Sequence, residues 1–361
     1  MNNKRRIFLA ATAATCLASS PVHSFGAAII HRRSPLVIGE GEYQYEVIHE
    51  YPELPSQYSW QTTHNVAVDE SQNLYVIHEG DVSKKEHPSI FVFDASGKFV
   101  RAFGEQFQGG GHGLEIKTEG SEEFLFVTGY KSIKSIAKLT LNGETVWSKR
   151  APMESGVYRS GEDKDNKFAF QRDRFLPTNF GFLPDDGFLM ADGYGSFRIH
   201  RYDRDANWVS CFGEPGKGPG QFQTPHGLCV DARDESNPTV LVADRANNRI
   251  QRLTLDGEHL ETWTGFGLPA NIHIQDDLTL VPELRARLSI LDAKGNTLVQ
   301  LGDDVARLKA DKKNRIRVTP SQWMDGKFMT PHDACFDAQG NIFVAEYVPG
   351  LGRVTKLKKI S

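Results

Sequence analysis

The sequence is expected to fold as an all-β, six-bladed β-propeller, with four antiparallel strands per blade around a central channel. Three observations predict this: a four-strand unit that recurs six times, a regular spacing of its copies, and no long amphipathic helix or Gly/Ser linker between them. One unit reads Pro225-His226-Gly227-Leu228-Cys229-Val230-Asp231, then Val240-Leu241-Val242-Ala243-Asp244-Arg245, then Asn248-Arg249-Ile250-Gln251-Arg252-Leu253, then a turn at Leu255-Asp256-Gly257 into a fourth strand. Short apolar runs divided by Asp and Gly are strands buried on both faces and joined by tight turns.

The first unit starts at His64, with Val66-Ala67-Val68-Asp69, Leu74-Tyr75-Val76 and Ile90-Phe91-Val92-Phe93-Asp94 in the same order. The second starts at His112 and runs through Phe124–Gly129 and Ile136–Asn142. The others start at Thr178, His226, Ala270 and His332, so successive anchors lie 48, 66, 48, 44 and 62 residues apart. The two long intervals hold charged insertions, at about Lys149–Phe175 after blade two and Gly302–Phe328 after blade five, suited to binding loops or to lids over the channel mouth. The last unit has little room for a fourth strand, and Tyr43–Ile48 is expected to supply it and close the ring.

Residues 1–27 read as an export signal and 28–361 as one propeller domain. Lys4-Arg5-Arg6-Ile7-Phe8-Leu9 precedes a mild apolar stretch, Ala10 to Ala18, with cleavage expected between Ser24 and Ala28. The Arg-Arg-x-Phe-Leu order is similar to a twin-arginine signal, and a periplasmic or extracellular location is expected; Cys16 leaves a lipoprotein alternative open. Of the remaining thiols, Cys211, Cys229 and Cys335, no two form a CxxC pair, so neither a disulfide framework nor a thiolate metal site is indicated. Lys and Arg number 42 against 46 Asp and Glu, for a net charge of −4, and no dense basic block lies beyond the first residues. Nucleic acid is therefore not the expected partner. No apolar run reaches the ~18 residues of a membrane helix. A monomer acting on a small molecule or peptide is expected.

The residue opening each innermost strand should face the channel. Around the ring that position holds His64, His112, Thr178, His226, Ala270 and His332. Blades two, four and six all present histidine, and alternate blades lie about 120° apart in a six-fold ring, so three imidazoles converge on the axis. That arrangement suits a three-histidine zinc site with an open fourth position; the alternative for each is a hydrogen-bonded strand residue. His64 is expected to neighbour this site rather than to ligate, and His49, His87, His200 and His273 are read as structural or solvated. Tyr194 and Arg245 fall within one place of each other after the Ala-Asp pairs of blades three and four. A tyrosine near zinc can act as a base, and an arginine there can hold a carboxylate. A core aromatic and a turn arginine are the plainer alternatives.

The run Pro225–Leu228 with Val242–Gln251 is similar to the NHL repeat. At the channel the chain resembles peptidyl-α-hydroxyglycine α-amidating lyases over about Val66 to Leu357. The resemblance implies zinc on His112, His226 and His332, a catalytic tyrosine at Tyr194, and an active-site arginine at Arg245. It also implies a structural calcium held by the carbonyls of Val66 and Leu114 and by Asp333. The implied reaction cleaves the C–N bond of a C-terminal α-hydroxyglycine to give an amide and glyoxylate. The chain departs from the family in blade one, where His78-Glu79-Gly80 stands in place of His-Arg-Gly. It departs again where Thr330 stands for a methionine, and where Gly195 and Leu241 stand for disulfide cysteines. Glu79, if unpaired, would repel a carboxylate substrate; it would suit a general base. Two alternatives therefore stay open: a metal-dependent hydrolase or lactonase-like enzyme using Glu79, and a non-catalytic binding scaffold.

Overall fold

Each of the first five repeats closes as a sheet in which chain order is spatial order. The computed structural model describes residues 34–360 apart from Glu50 and Lys85; the export signal expected over 1–27, with Cys16, lies outside the described residues. Blade one is Thr63–Val68, Leu74–His78, Ile90–Phe93 and Phe99–Phe103, and blade two is Gly111–Glu119, Glu122–Gly129, Ser135–Thr140 and Thr145–Lys149. Blade three is Asn179–Phe182, Phe188–Ala191, Ile199–Tyr202 and Trp208–Phe212, and blade four is Pro225–Asp231, Thr239–Asp244, Arg249–Thr254 and His259–Trp263. Blade five is His273–Gln275, Leu278–Glu283, Arg287–Leu291 and Thr297–Leu301. The six-bladed all-β architecture is as the repeats predict.

Blade six takes three strands from the C-terminal part, Pro331–Phe336, Ile342–Val348 and Leu351–Lys359, and its fourth, Tyr45–Ile48, from the N-terminal part. The register runs Tyr45 to Lys359, Glu46 to Lys358, Val47 to Leu357 and Ile48 to Lys356. Val37–Ile38 adds a fifth strand outside it. The seam predicted from the short last repeat is therefore present, one strand wider than expected.

The apolar residues sort into six cores, one per seam between neighbouring blades, because successive strand residues point to opposite faces. Val76 and Phe91 pack towards blade six with Phe343 and Val354, while Ile77 and Val92 pack towards blade two with Leu114 and Val127. Val242 faces blade three and Leu241 faces blade five. A strand with core on both sides has no polar face, which explains the unbroken apolar runs. Cys335 sits in the seam between blades six and one, and Cys229 lies against that between four and five; no disulfide forms among the described residues. No described helix is long and apolar enough to cross a membrane.

Buried acids fasten the loops that lead into the channel. Asp192 accepts from the Leu176 N–H at 2.7 Å and the Ser196 N–H at 2.8 Å. Asp244 accepts from Gln223 N–H and pairs with Arg249, each at 2.7 Å. Glu346 accepts from Met329 N–H at 2.6 Å and pairs with Arg353. Behind Asp192 lies a proton-ordered chain. The Trp208 indole N–H donates to His200 Nδ1 at 3.1 Å, so that nitrogen is the acceptor. His200 Nε2 then carries the hydrogen, donating to Tyr158 Oη at 2.9 Å, and Tyr158 donates to Asp192 at 2.9 Å. Charging His200 would break the Trp208 contact, and burial already lowers its pKa to about 3.

A histidine held neutral in the fold gives stability that is complete above its unfolded pKa and lost as pH falls from about 6.5 towards the folded value. His200→Gln should therefore be less stable than wild type at pH 7.5. The deficit should narrow by about 1.4 kcal/mol for each pH unit below about 6.5, until the folded value is reached. Urea unfolding of both proteins at several pH values checks this; a deficit that stays constant with pH would refute it.

Candidate functional site

The six anchors split into two jobs. His112 Nδ1 lies 2.9 Å from the carbonyl oxygen of Thr178, His226 Nδ1 lies 2.6 Å from that of Ala270, and His332 Nδ1 lies 2.9 Å from that of His64. Each histidine of an even blade thus meets the backbone of the next odd blade's anchor. Thr178 and Ala270 need no imidazole because they contribute a carbonyl. Glycine after the first two histidines permits the approach: a β-carbon on Gly113 would stand 2.3 Å from the Thr178 oxygen, and one on Gly227 would stand 2.8 Å from that of Ala270. The His-Gly pairs of the sequence are part of the site for this reason.

A carbonyl only accepts, so in all three rings Nδ1 bears the hydrogen and Nε2 presents a lone pair. Burial lowers the pKa of all three well below the ordinary value, which keeps them neutral. Their ring centroids lie 4.7–5.0 Å apart. The Nε2 atoms of His112 and His226 face each other at 3.2 Å. Tyr194 Oη lies 3.2 Å from the first and 3.0 Å from the second, with one proton for both. Converging lone pairs outnumber the hydrogens available to them, and backbone-oriented Nδ1–H groups are the usual outer support of metal-bound imidazole. Among the described residues, the group of three placed to share a metal ion is His64, His112 and His332, without His226.

His64 departs from its expected place outside the alternate-blade set. His64, His112 and His332, all buried, bring one ring nitrogen each to within 4.8 Å of one another, a group that can hold a metal ion. His64 Nδ1 lies 3.3 Å from His332 Nε2, and its ring centroid is 4.5 Å from those of His112 and His332. Near the axis of a propeller neighbouring anchors are as close as alternate ones, so the spacing of alternate blades does not exclude a residue of blade one.

Tyr194 and Arg245 meet at the same point. Arg245 Nη1 donates to Tyr194 Oη at 3.1 Å, and its guanidinium lies 5.0 Å from the ring centre. Burial raises the Tyr194 pKa while the charge and hydrogen bond of Arg245 pull it down; raised is the net result in the protein alone. Glu79 is paired. It binds Lys131 through Oε1, accepts from Tyr130 Oη at 2.5 Å, and stands 3.5 Å from His64 Nε2. Burial would raise its pKa, but His64, Lys131 and Tyr130 hold it at about 2. The repulsion expected of an unpaired Glu79 is thus largely cancelled, and a carboxylate this acidic is a weak base near neutral pH.

Deeper in the channel, Asp333 accepts from Val66 N–H at 2.9 Å and from Asn271 Nδ2 at 2.6 Å, and the same Asn271 nitrogen lies 3.3 Å from Glu115. Burial and mutual repulsion raise Glu115 to about 8, and burial raises Asp333 to about 6. Leu114 is buried beside them. Among the described residues, the groups of three or more His, Cys, Asp or Glu side chains placed to share a metal do not include this one.

The sequence reading missed Tyr130, Leu284 and Tyr347. The partners Thr63–His78, Gly111–Gly129, Pro225–Asp244, Pro269–Glu283 and Pro331–Glu346 occupy equivalent ladder positions. The next residue in each second strand is Glu79, Tyr130, Arg245, Leu284 or Tyr347. Tyr194 comes one place later in blade three. Counting one residue past that position finds five of the six; in blade three the count reaches Gly193, one short of Tyr194. Both insertions reach it too: Phe170 of the first is 5.9 Å from the Tyr194 ring, and Arg317 of the second lies over Tyr347 at 4.8 Å.

Fold and pocket together define a six-bladed β-propeller with a buried three-histidine group. Among solved structures the chain is similar to virginiamycin B lyase from Staphylococcus aureus, a catalytically inactive form with quinupristin, at a TM-score of 0.55 and 13% identity over 87% of this chain and 100% of that one. It is similar to a gluconolactonase from Xanthomonas campestris at a TM-score of 0.56 and 11% identity, over 90% of this chain and 96% of that one. At these identities the likeness is one of fold. By sequence it is 28% identical to NHL repeat-containing protein 3 of Mus musculus over 284 residues, 72% of this chain and 76% of the relative. The human NHL repeat-containing protein 3 is 29% identical over 221 residues, 59% of this chain and 58% of the relative, so the propeller is similar in sequence to these NHL-repeat proteins. No family model matches it.

Two triplets share His112 and His332 and differ in His64 or His226. Their hydrogen bonds separate them, because His226 has its Nδ1 on a carbonyl and His64 does not. His112→Ala, His226→Ala and His332→Ala should each weaken zinc binding by more than the roughly 10–100-fold that loss of an outer partner costs. His64→Ala should stay within that range. Metal analysis with chelator competition measures both; a His64→Ala protein as zinc-poor as the others would place His64 among the ligands.

Proposed function

We propose that this protein is an exported, zinc-dependent lyase that cleaves the C–N bond of a C-terminal α-hydroxyglycine, or a related carbinolamide, to an amide and glyoxylate. The observation that carries the reading is the meeting of Tyr194 Oη with His112 Nε2, His226 Nε2 and Arg245 Nη1, all at 3.0–3.2 Å. His112, His226 and His332 would hold the zinc, which when bound supplies a Lewis acid for the substrate hydroxyl. The charge and hydrogen bond of Arg245 draw on the Tyr194 proton against burial, and a cation on the histidines would act in the same direction. Tyr194 as phenolate removes the hydroxyl proton; the electron pair left on oxygen forms the C=O of glyoxylate as the C–N bond breaks, its electrons leaving with nitrogen; the proton passes from Tyr194 to the leaving amide nitrogen. Arg245 faces the carboxylate of the substrate with donors that Tyr194 does not use. Calcium held by Asp333 with the Val66 and Leu114 carbonyls belongs to the same proposal, and the raised pKa values of Glu115 and Asp333, whose charges a hard cation would offset, support it. The substrate is a peptide or small molecule, with the protein acting as a monomer and neither nucleic acid nor a membrane as partner.

A second reading, a hydrolase or lactonase-like enzyme with Glu79 as base, has Glu79 beside His64 in its favour and the Lys131 pairing against it.

Protein lacking residues 1–27 should release glyoxylate from an α-hydroxyglycine-ended peptide, and a zinc chelator should stop it. Tyr194→Phe should retain zinc and lose at least about 100-fold in kcat, the range of a missing general base. Glu79→Gln should stay within about tenfold of wild type, as a residue outside proton transfer should. A zinc-loaded wild type that releases no glyoxylate would overturn the lyase reading. Loss of turnover in Glu79→Gln with zinc retained would favour the hydrolase.

A further inference from the structure

Over the histidines lies a cavity of about 320 Å³ whose walls include Tyr194, His332, Arg245, Arg317, Leu268 and Leu284, and no carboxylate. Three arginines near the channel close on an acid of their own blade: Arg249 on Asp244, Arg287 on Glu283 and the buried Arg353 on Glu346. Arg245 and Arg317 do not. Arg317 spends Nε and Nη2 on the Tyr347 carbonyl at 3.3 and 2.9 Å and has no ion pair among the described residues. Its turn, Ile316–Val318, is held by the Trp323 indole donating to the Ile316 and Arg317 carbonyls at 3.0 and 3.3 Å. Two guanidiniums with unspent donors line one cavity whose walls carry no acid, and their planar forks match a carboxylate.

The cavity continues outward on one side. A cleft of about 510 Å³ beneath the helix Val305–Ala310 shares Leu268, Leu284, Arg317 and Thr330 with it. The cleft beside Glu79 and Lys131 shares none of its lining with the inner cavity. Leu268, Leu284, Val305, Leu308 and Met329 give the outer cleft its apolar lining, and Arg285, Lys309, Asp311 and Lys312 also line it. Leu268 holds a left-handed backbone, φ 57°, fixed by its N–H on Asn248 Oδ1 at 3.1 Å and its carbonyl on Leu284 N–H at 3.0 Å. A leucine kept in that unfavoured region from both sides marks a wall whose shape is imposed.

We infer that Arg317, brought in by the insertion after blade five, is the second cation of a carboxylate clamp with Arg245, and that the cleft beyond it takes an apolar group of the same substrate. The substrate class is an organic acid or acid-ended peptide whose carboxylate sits beside the reacting carbon and whose neighbouring residue is apolar. The inference rests on the reading above in taking the histidine face as the reacting end.

Binding, which needs no turnover, tests it. Zinc-loaded protein is titrated calorimetrically with N-acetyl-phenylalanyl-glycine, its C-terminal amide, and N-acetyl-seryl-glycine. Wild type should prefer the acid to the amide by about tenfold or more, as expected for a charge-assisted clamp, and phenylalanine to serine. Arg317→Gln should erase the acid preference, Arg317→Lys should retain part of it, and Leu308→Gln should erase the phenylalanine preference alone; thermal unfolding confirms that each variant folds. Arg317→Gln binding the acid as wild type does, or a wild type indifferent to the carboxylate, would overturn the inference. Glyoxylate release run alongside keeps the two readings apart. Release with an Arg317-independent preference sinks the clamp alone, and an Arg317-dependent preference without release sinks the lyase alone.

Discussion

Three ring N–H groups, each placed on the carbonyl of the next blade's first residue, are the contacts on which the site depends. They choose the tautomer, aim the lone pairs inward, and tie every even blade to the odd blade after it. The pattern repeats three times around a six-fold ring, so the chemistry inherits its symmetry from the architecture. Where the symmetry breaks, at His64, the side chain turns to Glu79 and His332 and links the histidine cluster to the ion pair at the mouth. The second layer, with Tyr194 and Arg245, sits on loops fastened by buried acids such as Asp192 and Asp244, which give the upper ring a rigidity its own irregular backbone lacks.

Electrostatic asymmetry follows from this layering. On the side of blades one and two, Glu79 and Lys131 neutralise each other. On the side of blades four to six, Arg245 and Arg317 carry charges that no described acid answers. A polar molecule entering the mouth therefore meets a directed field, and the neutral imidazoles beneath do not oppose it.

How much of this could be read in the chain depends on whether a residue carries the repeat. The anchors His112, His226 and His332, the closing strand at Tyr45–Ile48, and the pairing of Tyr194 with Arg245 all follow from the unit's register, because a fixed offset in a repeat is a fixed place in space. Tyr130, Leu284 and Tyr347 share that property and were legible to the same count. Lys131 is next to one of them in sequence, yet its partner Glu79 lies in another blade, and nothing linear measures that gap. Arg317 belongs to an insertion without periodicity, so no pattern places it. His64 lies closer to the cluster than alternate-blade spacing suggests, because neighbouring first strands crowd together near the axis.

The seam in blade six has a consequence for the life history of the molecule. His332 has its Nδ1 on the backbone of His64, and its blade is completed by Tyr45–Ile48, so the last imidazole of the cluster is seated against chain made some 270 residues earlier. A ribosome that has released only blades one to five has built His64, His112 and His226 and the carbonyls that orient the last two, but not His332. Maturation of the centre is thus a late, whole-molecule event.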